Sequence, residues 1–336
     1  MNGRVENDLK IYKNVEKSLF EFPSYIADWY YYLKANGQSA MTCRDYIHKI
    51  KLFLQFINAE IKSVRIEQMD ENIITRYFIK IQYKPDGTET SDSYKQCIWS
   101  CLNNFFEFLE KRNYISKNLI VSAQIKRPKN KDLIRINNNR KLLTQDDFNK
   151  IINAVENGVG SQKAKSYQKK YKNRDMCIML LFMTTGIRKT ALSEINMEDI
   201  NLNNRTLYVM DKGHILHEYY INDKTLESIE KWMLDRCDLV GSTEGAFFIS
   251  RDNTRMSGNS ITKLVDKYAY EALGYHISPH KLRSGLVSIM YEQTHDVEFC
   301  RRVIGHSNVS TTQRYIVTNN REKERAANMM DNILTI

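Results

Sequence analysis

Ile304-Gly305-His306-Ser307-Asn308-Val309-Ser310-Thr311-Thr312-Gln313-Arg314-Tyr315 decides how this chain is read. Gly305 stops one helix, because glycine enters the left-handed conformation that closes helices at little steric cost. A polar connection follows, and Ser310 is placed to cap a new helix. His306 then falls at a helix junction and Tyr315 in the second turn beyond it. Upstream, Ser278-Pro279-His280-Lys281-Leu282-Arg283 opens another helix, with Ser278 as its cap and Pro279 in the first helical position. His280 and Arg283, at i and i+3, share one face. Farther out, Thr184-Thr185-Gly186-Ile187-Arg188 ends an apolar helix on a glycine-linked arginine. Two arginines, two histidines and a tyrosine, with no carboxylate cluster, suit a phosphodiester. Guanidinium groups neutralise the charge of its transition state, and a phenol can be the nucleophile.

The set resembles the tyrosine recombinase (phage integrase) family in its simple two-domain, Xer-like form. Thr185-Gly186-Ile187-Arg188, Lys212-Gly213 in a hairpin, His280-Lys281-Leu282-Arg283, Gly305-His306 and Thr312-Gln313-Arg314-Tyr315 stand in the family's order and at its usual intervals, between residues 20 and 320. Any one of these pieces arises often by chance; the ordered set does not. The resemblance implies a mainly α chain with a small β-hairpin or sheet: a helical core-binding domain, then an α+β catalytic domain. It implies a site-specific recombinase that cuts and rejoins double-stranded DNA at paired recombination sites, working as a homotetramer through a 3′-phosphotyrosyl intermediate. Tyr315 would be the nucleophile, Arg188 and Arg283 the clamps on the non-bridging oxygens, and Lys212 the general acid for the departing 5′-oxygen. His280 would be the acid/base partner of the tyrosine and His306 a hydrogen-bond donor to the phosphate. The family needs no cofactor, metal or nucleotide.

Two departures from the family pattern stand out. Ala191 occupies the position where an acidic residue commonly helps hold the site, with Glu194 one turn later. The hairpin has Ile215 and His217 in place of a second basic pair after Lys212. Two other readings share the scaffold: a type IB topoisomerase-like enzyme that relaxes DNA, and a DNA-binding protein that does not cleave. A metal-dependent nuclease is disfavoured, since such sites are built from carboxylate clusters.

Composition agrees with a DNA-binding enzyme. The chain has 336 residues, 42% of them hydrophobic, with 50 Lys and Arg against 40 Asp and Glu, a net charge of +10. That length predicts two domains, and that charge favours a polyanionic partner. No apolar run reaches the roughly 18 residues of a membrane span, and the first residues lack a signal-peptide core. The expected place is the cytoplasm, on the nucleoid, with no membrane partner. Six scattered cysteines form no zinc pattern and read as reduced thiols.

Along the chain, residues 1–20 read as a ragged lead-in helix and 21–115 as the helical core-binding domain. Tyr25, Trp29 and Tyr30 belong to an aromatic core helix, and Cys43, Ile47, Ile50, Leu54 and Ile57 form one stripe of a helix over 40–57. The other side of that helix, with Arg44, His48, Lys49 and Lys51, is either a solvated face or a phosphate-contacting one. A basic linker is expected over 116–140, the catalytic domain over 141–318, and a tail helix over 319–336 that can dock on a neighbouring subunit. Residues 157–173 are lysine-rich and read as a loop. Alternation over 205–221 predicts a hairpin with Lys212 near its tip.

Overall fold

The computed structural model describes residues 3–129, 142–211, 215–242 and 245–305, so Lys212, His306, Tyr315, the cap at Ser310 and the tail 319–336 lie outside the described residues. The chain divides into two compact units, Val5–Asn139 and Arg140–Ile336 together with Met1–Arg4.

The first unit contains α1 (Gly3–Ser18), α2 (Ser24–Ala35), α3 (Ala40–Ile57), α4 (Glu71–Lys80), α5 (Asp92–Lys111) and the short α6 (Leu119–Ser122). α3 has the bounds its apolar stripe predicts, and Ser39 Oγ opens it by accepting the Thr42 N–H at 3.2 Å. Trp29 is fully buried between α3 and α5: its ring stacks on Tyr46 at 5.9 Å and meets Phe105 edge-on at 5.1 Å. Its indole N–H donates to Asn104 at 3.0 Å, so the large ring is buried without orphaning its polar atom. The lead-in is less ragged than expected. α1 runs for 16 residues, Val15 is buried, and Glu16 accepts from Tyr30 at 3.0 Å and Lys34 at 2.8 Å. Residues 116–129, expected to begin the linker, pack onto α5 instead. The Trp99 indole donates to the Ile125 carbonyl at 2.8 Å, the Gln96 amide donates to the Pro128 carbonyl at 2.7 Å, and Ile120 is buried. Four helical residues are too few to print a period on a sequence.

The second unit contains α7 (Gln145–Asn157), α8 (Gln162–Lys169), α9 (Lys172–Thr185), α10 (Lys189–Glu194), β1 (Ile200–Asn201), β2 (Thr206–Asp211), β3 (Ile215–Tyr220), α11 (Asp223–Val240), α12 (Gly258–Leu273), α13 (Pro279–Thr294) and α14 (Val297–Ile304). The strands form one antiparallel sheet in the order β1-β2-β3, with Thr206 opposite Tyr220 and Asp211 opposite Ile215. β2 and β3 are the expected hairpin, and the short β1 adds an edge to it.

The expected loop at 157–173 holds α8. Ser161 caps it by accepting the Ala164 N–H at 3.3 Å, and the Gln168 amide both donates to and accepts from the Val159 backbone. No residue of α8 is buried, so it carries no apolar stripe by which a sequence would announce it. α9 is the opposite case. It is buried along Cys177, Ile178, Met179, Leu181 and Phe182 at the centre of the core. Its first turn is tied to α12 by Asp175, which accepts from Arg174 at 2.8 Å and from the Tyr268 hydroxyl at 2.7 Å.

Candidate active site

The site is built from helix ends. α9 closes on Gly186, in the left-handed region at φ +63°, with its N–H returned to the Phe182 carbonyl at 3.2 Å. A Cβ there would also lie 3.1 Å from Leu286 and 3.3 Å from Ile304, so both backbone and space demand glycine. The chain then sets Arg188 at the N-terminal edge of α10. α14 closes in the same manner on Gly305, at φ +65°. α13 supplies Arg283 one turn into the helix that Pro279 opens. Ser278 occupies the cap position but makes no side-chain cap bond, contrary to expectation; its carbonyl takes the N–H groups of Lys281 at 2.8 Å and Leu282 at 3.4 Å.

Arg283 joins these ends. It is buried to 2% exposure, and its two terminal nitrogens donate to the carbonyls of Gly186 and Ile304, the second at 2.6 Å. Arg188 reaches the same corner and donates to the Gly305 carbonyl at 3.4 Å. Two permanently charged, planar groups therefore meet where the chain passes from α14 to His306. Backbone carbonyls fix the plane of Arg283, and a guanidinium so held can stabilise negative charge without reorganising. His280 is exposed in the first turn of α13, one turn before Arg283. The hairpin brings Asp211 opposite Ile215 on either side of Lys212, whose own placement is outside the described residues.

The sequence reading missed one member of this group. His217, on β3 opposite Val209, lies with its ring against the Gly305 corner: a Cβ on Gly305 would sit 2.5 Å from its Cε1 and 2.9 Å from its Nδ1. The ring also meets Tyr219 edge-on at 4.3 Å. Burial, and then the charges of Arg283 and Arg188, hold its proton affinity below the usual histidine range. The available signal was strand alternation, which puts His217 on the same face as the inward Tyr219. A cavity of about 500 Å³ opens beside it, bordered by Thr185, His217, Tyr219, Phe299 and Arg302. Ala191 and Glu194 are both buried on α10, and Arg255 donates to the Ser193 and Ile195 carbonyls at 3.2 and 3.1 Å around the end of that helix.

On α3, Lys51 is paired with Glu21 at 2.8 Å and Arg44 with its neighbour Asp45 at 2.9 Å. No helix among the described residues is long and apolar enough to cross a membrane.

Comparison with known proteins agrees with this geometry. The phage integrase family matches residues 141–322, more than half of the chain. The tyrosine recombinase XerC of Vibrio cholerae serotype O1 is 27% identical over 294 residues, which cover 85% of this chain and 86% of that protein. The fold is similar to that of XerH site-specific recombinase bound to palindromic difH substrate in a post-cleavage complex, with a TM-score of 0.66 and 17% identity over 89% of this chain and 82% of that one. It is also similar to a lambda integrase tetramer bound to a Holliday junction, with a TM-score of 0.61 and 19% identity over 87% of this chain and 76% of that one. The chain belongs to the phage integrase family and is a tyrosine-type site-specific DNA recombinase.

Proposed function

We propose that Tyr315 attacks the scissile phosphate of duplex DNA. The phenolic oxygen bonds to phosphorus as the bond to the 5′-oxygen breaks, leaving a 3′-phosphotyrosyl link and a free 5′-hydroxyl. His280 takes the phenol's proton and Lys212 gives one to the departing oxygen. Arg188, Arg283 and His306 hold the non-bridging oxygens while negative charge builds. Attack by the 5′-hydroxyl of a second strand reverses each step. Rejoining therefore needs no nucleotide, because the covalent link conserves the energy of the phosphodiester. The observation that carries this reading is the buried Arg283, held by two helix-end carbonyls with Arg188 on the adjoining one.

The working form we infer is a homotetramer on two paired sites in the nucleoid of the cytoplasm, with the tail 319–336 docked on a neighbouring subunit. The tetrameric lambda integrase complex on a Holliday junction supports that assembly by likeness of fold. The basic linker between the two units would cross the DNA backbone. Integration and excision, inversion and dimer resolution all use the same strand exchange.

A nicked suicide substrate tests the chemistry. Wild type gives a covalent protein–DNA band on a denaturing gel, and Tyr315→Phe binds the same DNA without forming it. A band that survives in Tyr315→Phe assigns the nucleophile elsewhere and removes the reading.

A further inference from the structure

The hairpin that carries Lys212 and the corner that carries His306 come from distant parts of the chain, and they meet at His217. Arg283 and Arg188 fasten the helix end, and the strand needs its own contact with that end to hold a fixed position against it. His217 supplies one. Its imidazole edge fills the space that a side chain on Gly305 would occupy, while its strand is paired through Val209 to the arm leading into Lys212. Tyr219 backs the ring from its own strand. The charged groups around it are Arg283 from α13 and Arg188 from the corner after α9, with Glu218 from β3, Arg302 from α14 and Asp296 from the cap of α14 bordering its cavity. Among the charged groups that act on the ring are the two proposed phosphate clamps.

We propose that His217 is a positioning residue of the cleavage reaction: its ring, wedged on Gly305, sets the hairpin bearing Lys212 in register with the corner that holds Arg188, Arg283 and the start of His306. This rests on the site proposed above. It also accounts for Gly305 beyond its backbone angle, since a methyl group there would collide with the ring. The role is steric and geometric. His217 need not touch DNA, and its effect belongs to the rate of cleavage and not to the affinity for the site.

The test uses the full chain, single-turnover cleavage of a suicide substrate, gel-shift binding to one site, and thermal melting. Misplacing a reacting group by about 1 Å costs on the order of 100-fold, so His217→Ala is expected to slow cleavage by roughly 10- to 100-fold. Its binding and melting stay near wild type. His217→Phe, which keeps a flat ring in the wedge, recovers most of the rate. Gly305→Ala slows cleavage severely alone and by a smaller factor in the His217→Ala background, because the collision partner is gone. Wild-type cleavage by His217→Ala overturns the proposal. So does an equal Gly305→Ala effect in both backgrounds, or a His217→Ala variant whose binding, melting and cleavage fall in step, which makes the ring a fold support. If His217→Ala does not fold, His217→Gln is judged by the same measurements. Tyr315→Phe runs alongside: a covalent band from that variant defeats the underlying site assignment, whereas its absence together with normal cleavage by His217→Ala defeats this inference alone.

Discussion

Arg283→Lys separates a charge from a brace. Both side chains are cationic, but only guanidinium carries N–H groups on two terminal nitrogens, at two sides of the group and within one rigid plane. In the structure those two sides hold the carbonyls of Gly186 and Ile304, in a position only 2% exposed. A lysine ammonium on its flexible stem keeps one of these bonds at most. The other carbonyl is then left buried and unanswered, which costs about 1.5–3 kcal/mol for a hydrogen bond to a charged donor. For a unit of this size each kcal/mol lowers the melting temperature by about 2–4 °C, so the transition should fall by roughly 3–12 °C. Calorimetry of the full chain reads it, following the transition of the unit that holds Arg283, because two units need not melt together. Cleavage should fall further than stability explains, by at least about 100-fold at a temperature where the variant is folded, as when a preorganised oxyanion donor is lost. A variant that melts with wild type refutes the brace. One that melts early yet cleaves at the wild-type rate refutes the clamp.

Cleavage should persist in excess EDTA, since in the proposed mechanism the arginines and Lys212 neutralise the charge that a metal cation would otherwise meet; loss on chelation and recovery with magnesium would sink that mechanism. Binding should weaken steeply with salt, and Arg44→Ala should flatten the logarithmic slope by about one unit if Arg44 meets a phosphate. Lys51→Ala should flatten it to a similar extent, since Arg44 and Lys51 each hold one carboxylate, Asp45 and Glu21, at the surface; an unchanged slope for both variants returns α3 to a solvated face. The folded chain resists protonating His217, whereas the unfolded chain accepts a proton near the ordinary histidine value of 6.5. Its contribution to stability is therefore complete above that pH and is lost as pH falls below it. His217→Phe should flatten the acid side of a melting-temperature profile, and two superimposable profiles would contradict the assignment. Removing residues 320–336 should leave single-site binding intact and abolish the four-subunit complex on native gels; normal assembly by the shortened chain would disprove tail exchange.

What the sequence disclosed was local. α3 carries its apolar stripe and α13 its opening proline in consecutive residues, and Gly186 and Gly305 stop helices wherever the rest of the chain goes. What stayed hidden depends on partners far away in sequence. α8 has no buried face, so nothing in its composition separates it from a polar loop. Residues 116–129 are held by bonds that Gln96, Trp99 and Asn103 make with them and by the burial of Ile120, contacts with distant residues that leave no period in the segment itself. Arg283 was legible as a cation at a useful spacing but not as a buried strut, because the carbonyls that bury it belong to other helices. His217 looked like a missing basic residue until its strand was laid against Gly305.

The brace on Arg283 also sets an order of events during synthesis. Its second carbonyl belongs to Ile304, near the end of the matched family region, with Gly305 of the same corner directly after it. A growing polypeptide that has emerged only as far as α13 holds the arginine but not its second anchor. It carries the basic segment 116–140, yet it lacks the finished corner on which the proposed cleavage depends. The corner is therefore completed only once Ile304 has left the ribosome, and a fragment that stops before it lacks the second anchor of Arg283.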